Sequence, residues 1–474
     1  MTHRTSIKSF LAKARAALTT GRSNRLLPLN FIVGNESADL DSLCSALLLA
    51  YFHTYAGRSN GSKTREQRVT ALHIPVCPLL RADLSLRPEF LAVLRDAGCG
   101  PEDVFTLEDV LPHDAALALH ERACCSDCKK LRPEDTRWLL VDHNAMTGAL
   151  ANAFASRVVG CVDHHADEGV LSYDAEIRVI EKSGSCASLV LEHCAHIWDR
   201  LCSASSASRY PGFSGDREWG EAMKIDAQLA HLALGPILID TANLGDINKT
   251  TAHDRRAVEI AESKIRTHWE ALGGGARVAG ADKTAELQPY DRTSFFNRLS
   301  VLKEDIADMS FRDVFRKDYK EWNVGYLRLG TSSVPQGFRY LVEEKSKGDT
   351  AAFLSRLESW GLEKDGLVEA DEMGRHKMDL VVVLTTFVDN GGRFNRELLV
   401  WARTEKGVRA AKLFEESNKE KLALDVWESG RLDTVKGENR VRELTDWRRC
   451  WHQSALEYSR KQIAPMLRDA LKAV

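Results

Sequence analysis

Carboxylates and histidines recur in this chain at points where they could hold a divalent cation. In GNESADLDS, residues 34 to 42, Asp39 and Asp41 stand two apart, directly after the strand-like Phe31-Ile32-Val33. Like charges that close repel, and are tolerated in solvent or where something positive lies between them. Asp142-His143-Asn144 follows Leu139-Leu140-Val141, Asp163-His164-His165 follows Val158 to Val162, and Asp240-Thr241 follows Ile237-Leu238-Ile239. Each alone fits a turn or a helix cap. Together, with two adjacent histidines among them, they point to a metal centre. The set is rich in carboxylate, with imidazole and no thiol. That chemistry suits Mg²⁺, Mn²⁺ or Co²⁺ rather than a structural zinc. So many carboxylates would suit two cations about 3.5–4 Å apart with a shared ligand, and hence hydrolysis of a phosphoester or phosphoanhydride.

These residues need a scaffold that brings strand ends together. Phe31 to Val33, Val69 to Ile74, Trp138 to Val141, Val158 to Val162 and Ile177 to Ile180 are short apolar runs, as buried parallel strands are. SLCSALLLAYF from Ser42, with Asp41 or Ser42 near its N-cap, and SGSCASLVLEHCAHIW read as helices, as do residues 222 to 234. Ile237 to Ile239 reads as a further strand end. Alternation of this kind predicts a doubly wound α/β domain, in which ligands bind beyond the carboxyl ends of the strands. His120 to Pro133 and Ser203 to Gly215 read as insertions, and Gly273 to Asp282 as a linker. After the linker, SFRDVFRKDYKEW is helix-like. LVVVLTTFVD and ELLVWAR form a hairpin signal, and the chain ends in a helix carrying SRKQIAPMLRDAL. This predicts a smaller C-terminal α+β domain.

The bulk properties set limits. A chain of 474 residues with 44% hydrophobic and 28% charged residues has material for two or three cores. A net charge of −3 excludes a generally basic coat for nucleic acid. No stretch approaches the ~20 unbroken apolar residues of a membrane span. Eleven scattered cysteines suggest reduced thiols. Cys125 and Cys128, beside Cys124, have CxxC spacing, but no second CxxC completes a zinc site. The first residues, MTHRTSIKSFLAKARAAL, lack an acid and a secretory core. They read as a first helix packing Phe10, Leu11 and Leu18, which predicts a cytoplasmic protein. A transit peptide, with a mitochondrial matrix protein, is the alternative.

Asp163-His164-His165, with GNESADLDS, VDHN and IDT, resembles the DHH phosphoesterase superfamily. LKEDIADMSFRDVFRKDYKEW and SRKQIAPML resemble the DHHA2 type of second domain. GNESADLDS, GPILIDTANL and RKDYKEW are most similar to fungal-type exopolyphosphatases. The resemblance implies a DHH domain over residues 1–275 and a DHHA2 substrate-binding domain over 276–474. It implies two divalent cations, Mg²⁺ or Mn²⁺ with Co²⁺ as a further candidate. Asp39 would bind one cation and Asp41 the other. Asp142 would bridge them and be catalytic, and His164 and Asp240 would complete the second site. His165 would face the phosphate as donor or acid, and Lys303, Arg460 and Lys461 would bind substrate. Asp163 would brace its loop or orient His164 from behind.

The implied activity is release of terminal orthophosphate from inorganic polyphosphate held between the domains, by attack of a metal-bridging hydroxide. No nucleic-acid or membrane partner is implied. Pyrophosphatase or short-nucleotide phosphodiesterase activity is one alternative, and a prune-like partner-binding role is another. Pyrophosphatases of this resemblance carry a histidine where this chain has Asn35. An amide is the poorer ligand for Mn²⁺, which favours Mg²⁺ here. The intact His164-His165 pair favours a working hydrolase over the prune-like role.

Overall fold

The computed structural model describes residues 4–20, 28–56, 72–111, 131–206, 215–271, 290–366, 377–389, 391–434 and 446–474. The chain divides into two compact units, Met1–Leu302 and Lys303–Val474. The expected boundary at 275/276, the Gly273 to Asp282 linker, the CCSDCKK stretch and residues 69 to 71 lie outside the described residues, as do 207 to 214 of the second expected insertion.

The first unit is built on five parallel strands: β1 (Leu29–Val33), β2 (His73–Val76), β3 (Thr136–Val141), β4 (Val158–Asp163) and β5 (Ile177–Ile180). Their order is β2-β1-β3-β4-β5. The chain leaves β1 to one side for β2 and returns on the other for β3. The boundary between β1 and β3 is therefore the switch point, where an open parallel sheet leaves a crevice beyond its strand ends. The helices that matter for the site are α1 (Ile7–Thr19), α2 (Leu40–Tyr55), α3 (Cys186–Ser206), α4 (Gly215–Asp240), α5 (Ala252–Ala271) and α6 (Arg292–Glu304).

Helix α2 has no polar face because it has no solvent face. Apart from His53, all its residues are buried, against β1, β2, α3 and α4. Its N-cap is Asp39, whose side chain accepts from the Ser42 amide at 3.0 Å, so the cap lies earlier than expected and Asp41 falls in the first turn. Helix α1 packs Ile7, Phe10, Leu11 and Ala14 into the same core, with Leu18 partly buried on it. The Arg4 guanidinium pairs with the buried Asp226 carboxylate, tying the preceding residues down. The cysteines among the described residues are free thiols, and burial pushes Cys77 up to about 12, where it is inert.

One expectation fails here. Ile237 to Ile239 is not a strand but the end of α4, which continues through Pro236. A short apolar run does not distinguish a buried strand from a buried helix. This one belongs to a helix packed against α2, α3 and α5. Over Trp219–Asp240 the helix is long and apolar enough to cross a membrane, but 78% of that window is buried inside the unit, as in a core helix.

The second unit carries a six-stranded mixed sheet of order β10-β11-β9-β8-β7-β6. Its strands are β6 (Tyr319–Val324), β7 (Leu327–Val334), β8 (Leu380–Val388), β9 (Phe394–Ala402), β10 (Leu424–Val426) and β11 (Trp447–Gln453). Strands β8 and β9 form the expected hairpin, closing at Val388 opposite Phe394. Their runs are apolar without alternation because both faces are covered. Leu380, Val382 and Leu384 enter one core, and Val381 and Val383 the other. SFRDVFRKDYKEW is only half helical. Helix α7 (Phe311–Lys317) stops before Asp318, and Tyr319 onward pairs antiparallel with β7. The Ser333 amide and the Arg460 guanidinium both donate to the Asp318 carbonyl, which holds the chain in the sheet. The last helix, α8 (Arg460–Lys472), is capped by Ser459.

His53 sits in the last turn of α2, its ring centroid 5.3 Å from that of His73 and 5.6 Å from that of His193. Burial, then the neighbouring His73, His193 and His196, lowers its pKa from 6.5 to about 3. A base depressed on folding is neutral in the native state and protonated in the unfolded state between those values, so its contribution is lost as pH falls from about 6.5 towards 3. Thermal melts should show His53→Phe losing roughly 1–2 kcal/mol less stability than wild type between pH 7.5 and pH 5. Parallel pH profiles for the two proteins would contradict this.

Candidate metal centre

The site forms beyond the carboxyl ends of β1, β3 and β4. Gly34 leaves β1 in close contact with α2, and a Cβ on it would lie 2.5 Å from Ser42 Cβ. That approach lets the Asn35 amide nitrogen of the main chain donate to Ser42 Oγ at 3.1 Å, while Ser42 Oγ donates to Asp142 Oδ2 at 2.6 Å. Asn35 Nδ2 donates to the same oxygen at 2.6 Å, across the switch point. Its Oδ1 accepts from the Ser37 amide at 2.8 Å and is turned to its own loop. One oxygen of Asp142 is thus occupied by protein donors, and the other faces the histidines.

Asp142 Oδ1 lies 3.1 Å from His164 Nε2 and 3.6 Å from His165 Nδ1. Asp142, His164 and His165 offer ligand atoms that all lie within 4.8 Å of one another, a group able to hold a metal ion. His164 Nδ1 lies 3.0 Å from the Ser183 carbonyl, which can only accept, so Nδ1 carries the hydrogen. In the neutral ring Nε2 then has a lone pair directed at the carboxylate. Two lone pairs at 3.1 Å repel unless a cation or proton lies between them. A proton on Nε2 satisfies this approach, and the donor set also fits a divalent cation in its place.

Asp163 does not orient His164. Its Oδ1 accepts the His164 and His165 amides at 2.8 and 3.1 Å and His165 Nδ1 at 2.8 Å, and its Oδ2 accepts Asn144 Nδ2 at 2.6 Å. Burial opposes its ionisation, but the His165 hydrogen bond and charge, with Asn144, keep its carboxyl below the usual range. His165 is engaged through Nδ1 and its side chain is 30% exposed. Asn144 also bonds Ala166 and Glu168, so it clamps the β4 loop. His143 turns Nδ1 to the Val141 carbonyl.

Asp41 is buried and caps α3: the Cys186 and Ala187 amides donate to it at 2.6 and 2.9 Å, and Ser185 Oγ at 2.8 Å. Burial, then the charges of Asp142 and Asp240, raises its pKa well above the carboxylate range. Asp142 behaves oppositely. Burial opposes its ionisation, but His164 as an imidazolium donating to it, then His165 and Ser42, hold it down. Asp39 is exposed at the mouth of its loop. Asp240 is the last residue of α4, where the helix dipole disfavours a negative charge by about 0.3–1 kcal/mol. A cation would offset both that cost and the repulsion around Asp41.

The backbone is strained at the same places. Ala38 (φ 45°), Asp142 (φ 62°), Ala242 (φ 49°), Asn243 (φ 58°) and Leu244 (φ 64°) adopt the left-handed conformation. Among the described residues of the first unit these are all the non-glycines that do so, and each lies within four residues of Asp39, Asp142 or Asp240. Each costs about 1–2 kcal/mol, which the surrounding contacts must offset.

Lys303, Arg460 and Lys461 belong to the second unit. Lys303 is in the last turn of α6. Arg460 donates through Nη2 to Asp318 Oδ1 at 2.7 Å, and Lys461 is exposed in the first turn of α8. Among residues supporting the site, sequence reasoning missed Ser42, Ser183, Arg87 and Asp254. Arg87 is buried and donates to the Ser37 and Ala38 carbonyls at 2.6 and 2.9 Å, bracing the loop before Asp39. Nothing in the single sequence distinguishes it from a surface arginine.

The fold and site define a two-unit α/β protein with a carboxylate–imidazole group able to hold a cation at the switch point of a parallel sheet. The family profile "DHH family, N-terminal domain" matches residues 30–233, and "DHHA2 domain" matches residues 297–470. The chain thus carries a DHH-family N-terminal domain followed by a DHHA2 domain. It is 28% identical over 445 residues to a Schizosaccharomyces pombe protein named "Putative exopolyphosphatase", covering 94% of this chain and 91% of that one. It is 25% identical over 470 residues to mouse "Exopolyphosphatase PRUNE1", covering 98% of this chain and 80% of that one. A solved structure titled as a putative family II inorganic pyrophosphatase, from Methanococcus jannaschii, is 18% identical with a TM-score of 0.47, covering 94% of this chain and 99% of that one.

If the site takes a cation, Mn²⁺ or Mg²⁺ at about a hundred times its dissociation constant should stabilise the native state by about 2.7 kcal/mol, visible as a rise in Tm that EDTA reverses. His164→Ala should abolish most of that rise. An identical rise in the variant would place binding elsewhere.

Proposed function

We propose that this protein is a metal-dependent exopolyphosphatase that releases terminal orthophosphate from inorganic polyphosphate. The observation that carries the metal-dependent part is the approach of His164 Nε2 to Asp142 Oδ1 at 3.1 Å with Nδ1 already committed to a carbonyl. The names of its relatives supply the substrate class.

In this reading Asp142 and His164, with Asp39, Asp41 and Asp240, hold two divalent cations, Mg²⁺ or Mn²⁺. Bound cations supply Lewis acidity to a phosphoryl oxygen and to the attacking water. The protein does the rest. His165, fixed through Nδ1 by Asp163, presents Nε2 to the terminal phosphate as donor or acid. Asn35 and Ser42 hold Asp142 from one side, so its other oxygen stays directed at the histidines. Lys303, Arg460 and Lys461 are assigned to the phosphate chain, which has more charge than the centre neutralises.

Purified protein should release phosphate rapidly from long-chain polyphosphate with Mg²⁺ or Mn²⁺, largely spare pyrophosphate and a cyclic nucleotide, and stop with chelator. Asp142→Ala should lower that rate by at least about 100-fold. Release mainly from pyrophosphate would make the protein a pyrophosphatase. Near-wild-type turnover by Asp142→Ala would end the two-cation reading.

A further inference from the structure

Asp254 lies in the first turn of α5 and is fully buried. It is not among the residues that would touch a cation or phosphate. Its carboxylate nevertheless accepts six hydrogen bonds from the described residues. Two are local: the Thr251 amide at 2.7 Å and Thr251 Oγ1 at 2.8 Å, both to Oδ2, as in a helix cap. The other four come from one turn nearly seventy residues earlier in the chain. Ser183 Oγ donates at 2.9 Å, the Gly184 amide at 2.9 Å, the Ser185 amide at 3.2 Å and Ser188 Oγ at 2.7 Å.

That turn holds two of the residues assigned to the cations. The Ser183 carbonyl receives His164 Nδ1 and so sets which ring nitrogen faces Asp142. Ser185 Oγ and the Cys186 and Ala187 amides hold Asp41. The turn also abuts the residue that follows a third, Asp240. A Cβ on Gly184 would lie 2.6 Å from Thr241 Cγ2, next to Asp240, and 3.0 Å from Asp254 Oδ2. The backbone there is wedged between Asp254 and the end of α4, and only glycine fits.

We propose that Asp254 is a positioning residue for the cation site, acting through the 183–188 turn to fix the tautomer and aim of His164 and the placement of Asp41. The inference rests on the cation site proposed above. A helix cap alone needs only the Thr251 contacts. The four distant donors are what a positioning role adds, and partners behind a metal ligand are typically worth about 10–100-fold in affinity.

The test compares Asp254→Asn, Ser183→Ala and Thr251→Ala in the full chain, by calorimetric titration with Mn²⁺ and by ¹⁵N NMR of the His164 ring in metal-free protein. Asp254→Asn should weaken Mn²⁺ binding at least about 10-fold and turn a slowly exchanging His164 Nδ1–H into a fast one. Ser183→Ala, which removes one tie and keeps the carbonyl, should move both readouts the same way by less, and serves if Asp254→Asn does not fold. Thr251→Ala, which removes a cap partner only, should lower Tm yet leave Mn²⁺ affinity within about twofold. Wild-type affinity and a protected Nδ1–H in Asp254→Asn, or equal losses in Thr251→Ala, would overturn the inference. Absence of Mn²⁺ binding by the wild type would instead sink the cation reading, and the ring proton alone would then decide the role of Asp254.

Discussion

Carboxylates removed from water close to one another demand compensation, and the first unit is organised around that demand. Asp41 and Asp142 are buried, Asp240 ends a helix, and His164 directs a ring nitrogen at Asp142. Burial alone would drive such acids to their neutral forms. The protein answers in two ways. Asp41 receives the N-terminus of α3, and Asp142 receives Asn35 and Ser42 on one oxygen. What these donors leave unbalanced is the space between Asp142 Oδ1 and His164 Nε2, where a positive charge belongs.

The scaffold keeps that space from collapsing. Each loop of the candidate site is tied from behind by groups that do not enter it: Arg87 on the Ser37 and Ala38 carbonyls, Asn144 on Asp163, and Asp254 on the turn behind His164. The loops are also held in left-handed backbone conformations that a non-glycine residue does not choose freely. Strain at Ala38, Asp142 and Ala242 to Leu244 persists because the packed strand ends and buried polar ties over-determine those residues. Loops preorganised in this way hold the geometry of the candidate site at the cost of some stability.

Much of this was legible in the chain. Strand runs ending in Asp-x-Asp, Asp-His-Asn and Asp-His-His announce a parallel sheet with polar residues at its carboxyl edge, because period and turn chemistry are local. The errors arise where local signals are silent. Ile237 to Ile239 has the composition of a strand and is a helix end, since its neighbours are helices. Asp318 to Trp322 continues a helix-like charge pattern but is drawn into a sheet by β7 and Arg460. Asp163, expected to brace its loop or orient His164, braces the loop through two successive amides, and its side-chain contact goes to His165 rather than to the His164 ring.

By itself the sequence determined which groups are available: the acids, the histidine pair, the absence of thiols among them and the strands that carry them. Those follow from residue type and spacing. Only the tertiary structure decided how each is used. Whether a carboxylate caps a helix, faces an imidazole or clamps a turn depends on partners far away in the chain: Asp41 on Cys186, Asn35 on Asp142 and Asp254 on Ser183. Such pairings form when chain compaction brings distant polar groups out of water together, and no local pattern encodes them.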